Sequence, residues 1–241
     1  MRSDGRTAEQ HRPIGITRGF TRQAPGSVLV EMGRTRVLCT ASIDNKVPDW
    51  LAGKPQGWLT AEYSMLPGST SPRKPREKSK PDGRSVEIQR LIGRSLRSVI
   101  DLAPLVGRSL WVDCDVIDAD GGTRTASITG AFVAVVDAIA KTDLAPRASE
   151  ILRDSIAAVS VGIIDGEVRL DLHYDEDSRA EVDMNLVMTG SGRFVEVQGT
   201  AESQPFAADQ LQRMLAIGSE GIRSLRQAQR EALGDLWPIR D

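Results

Sequence analysis

Residues 118–127 read DADGGTRTAS: two adjacent glycines, an arginine and three hydroxyl side chains, set directly before the run ITGAFVAVVDAIAK. Paired glycines let the backbone turn its N–H groups towards one point. The helix predicted to follow adds donors that have no partner, and its dipole favours negative charge at that end. Arg124 brings a planar fork of donors that fits an oxyanion. Together these residue types describe an anion pocket. The spacing is neither that of a Walker A loop, whose lysine is missing, nor that of a dinucleotide-binding fingerprint. A plainer reading stands beside it: a tight strand-to-helix turn with Thr125 or Ser127 as the helix cap.

A second group is acidic. In HYDEDSRAEVDMN, residues 173–185, Asp175, Glu176, Asp177, Glu181 and Asp183 cluster between two apolar runs. If EVDMNLVM is a strand, Val182, Met184, Leu186 and Met188 share one face and Asp183 and Asn185 the other, with Asp177 at the turn before it. Carboxylates on a rigid element suit a hard divalent cation such as Mg²⁺, which takes one or two of them and completes its shell with water and phosphate. The alternative is a solvated acidic turn, against which Asp183, inside an apolar strand, is the main argument.

The third group is basic. Between Leu66 and Arg97 there are nine Lys or Arg against three Asp or Glu, in a chain whose net charge is −2, so charge is segregated. Arg73, Lys74, Arg76, Lys78 and Lys80 lie in a Pro-rich stretch that reads as a loop. Arg90, Arg94 and Arg97 then follow i, i+4, i+7 and form one helical stripe, with Arg84 just before the first turn. Such a stripe fits a polyanion backbone, and an aromatic content of 4% argues against a reader that stacks base after base. A solvated helix face, or pairing with acids of a neighbouring subunit, fits it equally.

The elements that must position these groups follow from periodicity. GSVLVEMG and TRVLCTASI are strands joined at Gly33-Arg34, GWLTAEYSMLP holds another, and SLWVDCDVI a fourth. In SVEIQRLIGRSLRSVIDL, Ile88, Leu91, Ile92, Leu96, Val99 and Ile100 recur with helical spacing, and Ser127 to Lys141 is the next helix. The second half offers four strands, IAAVSVGII, EVRLDLHY, EVDMNLVMT and RFVEVQG, the first two joined by an Asp165-Gly166 hairpin turn. An amphipathic helix from about Ala208 to Leu233 follows. The pattern predicts an α+β protein with helices packed on mixed sheets, built as one unit or as two fused sub-domains meeting near residues 142–155.

With 241 residues and 40% apolar content the chain can bury a large core. The amino end is charged from its second residue and lacks the apolar stretch of a signal peptide, and no run approaches the roughly 20 apolar residues that cross a bilayer. A soluble cytoplasmic protein is expected. Cys39 and Cys114 sit in strand-like runs, which suits buried thiols. His11 and His173 are the only histidines, so chemistry must rest on carboxylates, arginines, hydroxyls and backbone amides.

Taken in order, GSVLVEMGRTRVLCTAS, GWLTAEYSMLP, GRSVEIQRLIGRSLR, DCDVIDADGGTRTASITGA, YDEDSRAEVDMN and VEVQGTAE resemble the blocks of the ribonuclease PH family, through nearly the whole chain. Members of that family are bacterial phosphorolytic 3′-to-5′ exoribonucleases, or tRNA nucleotidyltransferases, that trim the 3′ ends of tRNA precursors. The resemblance implies the family's α+β fold, related to the second domain of a small-subunit ribosomal protein, as a single domain over residues 1–241. Within it, 10–141 would be the phosphate-binding core and 156–235 the carboxylate-bearing second half. It also implies a hexameric ring made of three dimers. It places the phosphate site on Arg84, Gly122, Thr123 and Arg124, and the paired carboxylates associated with Mg²⁺ and catalysis on Asp177 and Asp183, the latter a candidate general acid. Arg73 and Arg76 correspond to loop arginines tied to assembly and RNA contact. The loop departs from the family at SKPDGR, where a Lys-Gly step is usual. Inorganic phosphate would be co-substrate, nucleoside 5′-diphosphates the product, and the reaction reversible. A non-catalytic RNA-binding ring subunit is the alternative, and a hydrolytic nuclease a third reading.

Overall fold

The fold comes from a computed structural model that describes residues 2–76 and 82–239. Lys78 and Lys80 of the basic loop, with Glu77 and the Ser79-Lys80-Pro81 part of its departure from the family pattern, lie outside the described residues. Two sheets carry the chain. In the first, β1 (Ile14–Arg18), β2 (Gly26–Met32), β3 (Thr35–Asp44) and β5 (Ser109–Asp118) are successively antiparallel, and β4 (Trp58–Met65) pairs parallel to β5 at the edge. A parallel neighbour needs a crossover, and α1 (Gly83–Arg97) lies on it. The second sheet is antiparallel throughout, in the order β7 (Glu167–Leu170), β6 (Ile156–Ile164), β8 (Val182–Thr189), β9 (Phe194–Ala201). The β6–β7 hairpin turns at Asp165 and Gly166, with φ of 53° and 73°, the left-handed pair that matches strand twist.

Helix α2 (Thr123–Ala140) joins the two halves. It packs on β2 and β3 of the first sheet and on β6 of the second, and every residue from Thr125 to Ile139 is buried. One apolar cluster therefore runs through both sheets, from Val28 and Val116 to Val159 and Leu186. α2 is the one helix among the described residues long and apolar enough to cross a bilayer, which the sequence pattern did not anticipate. With 89% of that window buried it is the core of this fold. The short α3 (Ala148–Ile151) follows α2, and α4 (Tyr174–Asp177) leads towards β8. The final helix α5 (Ala208–Leu233) covers β6, β7 and β8, as its amphipathic run predicts. The apolar stripe of α1 is buried from Ile88 through Leu96.

Three boundaries differ from the sequence expectation, and each moves a site residue. α2 begins at Thr123 rather than Ser127, because Gly122 at φ 66° serves as its N-cap position. Neither Thr125 nor Ser127 caps it: their hydroxyls donate back to the carbonyls of Gly122, at 2.9 Å, and Thr123, at 2.8 Å. Arg84 lies inside the first turn of α1 rather than before it, since Asp82 is the cap and its carboxylate accepts from the Ser85 N–H at 2.6 Å. Asp177 closes the four-residue helix α4 instead of standing in an open turn. β7 stops at Leu170, and Asp171, with a φ of 52°, still donates its N–H to the Ser160 carbonyl at 2.7 Å while its carboxylate meets Arg12.

Candidate active site

The turn between β5 and α2 is pinned by its neighbours. The Thr35 hydroxyl donates to the Gly121 carbonyl at 2.7 Å and accepts from the Asp120 N–H at 2.9 Å. A Cβ on Gly121 would stand 2.5 Å from the Leu172 carbonyl oxygen, and the residue itself has φ 76°. Glycine is required there so that the 172–173 backbone can press against the turn. This contact brings α4, with Asp177, up to the first turn of α2. The helix has no side-chain cap, and its first inward bond is from the Ala126 N–H to the Gly122 carbonyl. The N–H groups of Thr123, Arg124 and Thr125 thus precede the intrahelical ladder, as an anion site requires.

Arg124 is aimed by other elements. Its Nη1 donates to Gln198 Oε1 on β9 at 3.0 Å and to Glu87 Oε1 on α1 at 3.2 Å, while Gln198 itself donates to Glu87 at 3.2 Å. Arg84 makes no hydrogen bond or ion pair among the described residues, and its charge reaches Asp177 and Asp183. The Tyr63 hydroxyl, buried under the site, bonds the Thr123 hydroxyl at 2.8 Å and so orients it. Both carboxyls feel both arginines. Burial raises Asp177 above the ordinary carboxylate range, against the lowering charges of Arg84, Arg124 and Arg12. Burial and the charge of Asp177 push Asp183 up to about 6, with Arg124 and Arg84 pulling the other way and Glu202 adding to the rise. Two acids and two arginines therefore share one electrostatic field, although they come from both halves of the chain.

The donor set for a cation is small. Asp183 Oδ1 is buried with no hydrogen-bond partner, and its Oδ2 is reached only at 3.4 Å by Asn185 Nδ2. An unpaired, desolvated carboxylate oxygen beside a second carboxyl fits a divalent cation. No group of three or more His, Cys, Asp or Glu side chains able to hold a metal occurs among the described residues. Two carboxyls at an open site fit Mg²⁺, which keeps water and phosphate in its shell.

Residues 10–141 match the model of the 3′ exoribonuclease family, domain 1, and residues 154–221 match domain 2 of the same family. The chain belongs to the RNase PH family of 3′ exoribonucleases. It is 56% identical over 237 residues to a ribonuclease PH of Synechococcus sp. strain JA-2-3B'a(2-13), covering 97% of each chain. Among solved structures the RNase PH fold recurs in rice Rrp46, with a TM-score of 0.78 at 19% identity over 96% of this chain and 100% of that one. It recurs also in an Archaeoglobus fulgidus exosome with RNA bound to the active site, with a TM-score of 0.77 at 23% identity over 94% of this chain and 91% of that one.

In this RNase PH-family chain the basic stripe on α1 divides. Arg97 Nη1 donates to the Leu59 carbonyl on β4 at 3.0 Å, so part of its fork fastens the helix to the sheet. Arg94 pairs with Glu196 on β9. Arg94 therefore has an acid partner within its own chain. Arg90 is exposed and makes no hydrogen bond or ion pair among the described residues, and Arg73 and Arg76 are likewise exposed in the loop. Sequence reasoning missed Glu87, Gln198, Tyr63 and Glu202 as neighbours of the site. The convergence of Glu87 and Gln198 on Arg124 is what marks them.

Proposed function

We propose that the chain degrades RNA from its 3′ end by phosphorolysis in the pocket between Arg84, Gly122, Thr123 and Arg124 on one side and Asp177 and Asp183 on the other. The observation that carries this reading is that two arginines beside an uncapped helix start act electrostatically on two half-buried carboxyls from the other half of the chain. Phosphorolysis brings one phosphate against another, so the site must hold like charges together and in line. Arg84, Arg124 and the first N–H groups of α2 hold the attacking phosphate. An oxygen of that phosphate attacks the last phosphodiester, the bond to the 3′ oxygen of the preceding nucleotide breaks, and that oxygen takes a proton as the nucleoside 5′-diphosphate leaves. Asp183 is the proposed donor. Mg²⁺ is proposed to bind Asp177 and Asp183, and when bound it would neutralise charge on the scissile phosphodiester and the departing oxygen. A phosphate ester is exchanged for an anhydride, so the reaction also runs in reverse when diphosphates are in excess.

The chain is an enzyme of its family rather than a non-catalytic subunit, given near full-length identity of 56% to a ribonuclease PH. Precursor tRNAs are its substrates, and Arg73, Arg76 and Arg90 are proposed to contact the RNA backbone or a neighbouring subunit. Assembly as a six-membered ring of three dimers and residence in the cytoplasm belong to the same proposal. The test is a digest of RNA with a short 3′ extension in Mg²⁺, with and without inorganic phosphate, with the released nucleotide identified by chromatography. Phosphate-dependent release of nucleoside diphosphates is expected. Release of monophosphates without phosphate would overturn the phosphate pocket.

A further inference from the structure

The segment of residues 2–12 carries Arg2, Arg6 and Arg12, all three buried, to 4%, 7% and 4% exposure. Burying a guanidinium is costly unless it is paired and bonded; Arg2 and Arg12 are, while Arg6 pairs with Asp4 and leaves its Nη2 without a hydrogen-bond partner. Arg12 grips Asp171 with Nη2 at 2.7 Å and Nε at 3.0 Å, and its backbone N–H adds a third bond at 2.8 Å. The rest of its fork turns outward: Nη1 donates to the Asp120 carbonyl and Nη2 to the Gly121 carbonyl at 3.4 Å. Those are the two carbonyls of the turn that starts α2. At the other end Arg2 grips Glu176 through Nε at 2.9 Å and Nη2 at 2.5 Å, and it also donates to the carbonyls of Leu170 and Asp171 at 2.8 and 3.0 Å. Glu176 is the residue before Asp177 on α4, and His173 Nδ1, at 2.8 Å, holds it from below.

We infer that residues 2–12 form a brace that sets the phosphate turn and the carboxylate helix at a fixed separation, with Arg12 a positioning residue for the attacking phosphate and Arg2 one for Asp177. This rests on the phosphate and carboxylate roles proposed above. Neither arginine touches the reacting atoms. Arg12 acts through the carbonyls of 120 and 121, whose peptide planes carry the N–H groups of Gly121 and Gly122 and so set where the first turn of α2 begins. Arg2 acts through Glu176, whose carboxylate fixes the orientation of a helix only four residues long. The two grips meet at residues 170–171, the stretch from which α4 departs, so movement of either end is transmitted to the other. The electrostatics agree with this placement, since the charge of Arg12 reaches Asp177 as well as Asp171. In-line displacement is sensitive to such registration, because misplacement of about 1 Å by a change remote from the chemistry costs about 10²-fold.

The two ends are separable by experiment. Arg12→Lys keeps the charge opposite Asp171 but lacks the fork that also reaches the turn. Arg2→Lys keeps the charge opposite Glu176 but loses the paired grip. For Arg12→Lys, KM for phosphate is expected to rise about tenfold with kcat at saturating phosphate nearly unchanged, and the rise in thermal midpoint produced by inorganic phosphate alone should shrink. For Arg2→Lys, kcat is expected to fall about tenfold or more while phosphate-dependent stabilisation stays at the wild-type level. If Arg12→Lys does not fold, the pair Arg12→Met with Asp171→Asn removes both charges together and is expected to show the same phosphate defect. Equal changes in KM and kcat in both variants, or a lowered midpoint with wild-type kinetics, would overturn the brace. Arg124→Ala, measured alongside, distinguishes the two levels of failure. If it retains wild-type stabilisation by phosphate, the phosphate site falls and the role of Arg12 with it. If it loses stabilisation while Arg12→Lys keeps it, the brace alone falls.

Discussion

Arg124 is the residue on which the site converges, since α1 and β9 both aim it and its charge reaches both carboxyls. Arg124→Ala is expected to lower kcat/KM for diphosphate release by about 10²–10³-fold, the usual cost of losing a preorganised charge donor, with light scattering unchanged. Asp183→Asn should lose activity at every Mg²⁺ concentration, because the amide neither carries the proton nor binds the cation as the carboxylate does. Full rescue by excess metal would reduce Asp183 to a replaceable ligand. Among the basic residues the contacts separate two effects. Arg90→Ala is expected to weaken RNA binding and reduce the salt slope by about one unit, with the urea midpoint unchanged. Arg97→Ala, which deletes the bond to the Leu59 carbonyl, is expected to cost about 1 kcal/mol of stability.

At the scale of elements, two helix starts do most of the positioning, and they are built differently. α1 is capped by Asp82, so its first turn is fastened and holds Arg84 still. α2 has no side-chain cap, so its first donors stay available to a ligand. Asp82→Ala is expected to cost about 1 kcal/mol in denaturant unfolding and to raise KM for phosphate by loosening the turn that carries Arg84. An effect on stability without one on phosphate would show that Arg84 does not depend on the cap. The β5–α2 turn is fastened instead from outside, by Thr35, Arg12 and the close approach of Leu172, which leaves its own donors unspent.

The whole molecule depends on charges buried where the halves meet. Asp171 is almost fully buried, which alone would raise it. The His11 ring 3.8 Å away and the bonds and charge of Arg12 more than offset this and hold it well below the ordinary carboxylate range. Glu176 is likewise held low, burial being outweighed by Arg2 and His173. Because both groups bind protons more weakly when folded, their stabilisation is complete above the ordinary values of 3.8 and 4.5 and is lost as pH falls through and below them. Urea midpoints are therefore expected to fall steeply in that acid range. Asp171→Asn should lower stability at neutral pH by about 3–5 kcal/mol, as for a buried pair broken on one side, and flatten the acid dependence. An unaltered acid slope in that variant would place the lability elsewhere.

Most strands and the long helices were legible in the sequence, because periodicity depends on local geometry, and Arg84, Arg124, Asp177 and Asp183 were singled out because each lies within a family block. Helix starts were less legible. Gly122 as cap and Thr123 as first residue of α2 depend on a turn of two left-handed glycines, the first of which, Gly121, is fitted against Leu172, about 50 positions away in the chain. The charged opening of the chain read only as the absence of a signal peptide. Its three arginines became structural elements when β7 ended at Leu170 and the two buried acids required partners. The sequence by itself determined which chemistry the residue types allow. Only the tertiary structure decided that Glu87 and Gln198 aim one arginine, that Arg97 is tied to the sheet, and that residues 2–12 span the site, because each of these rests on burial and contact between segments remote in sequence.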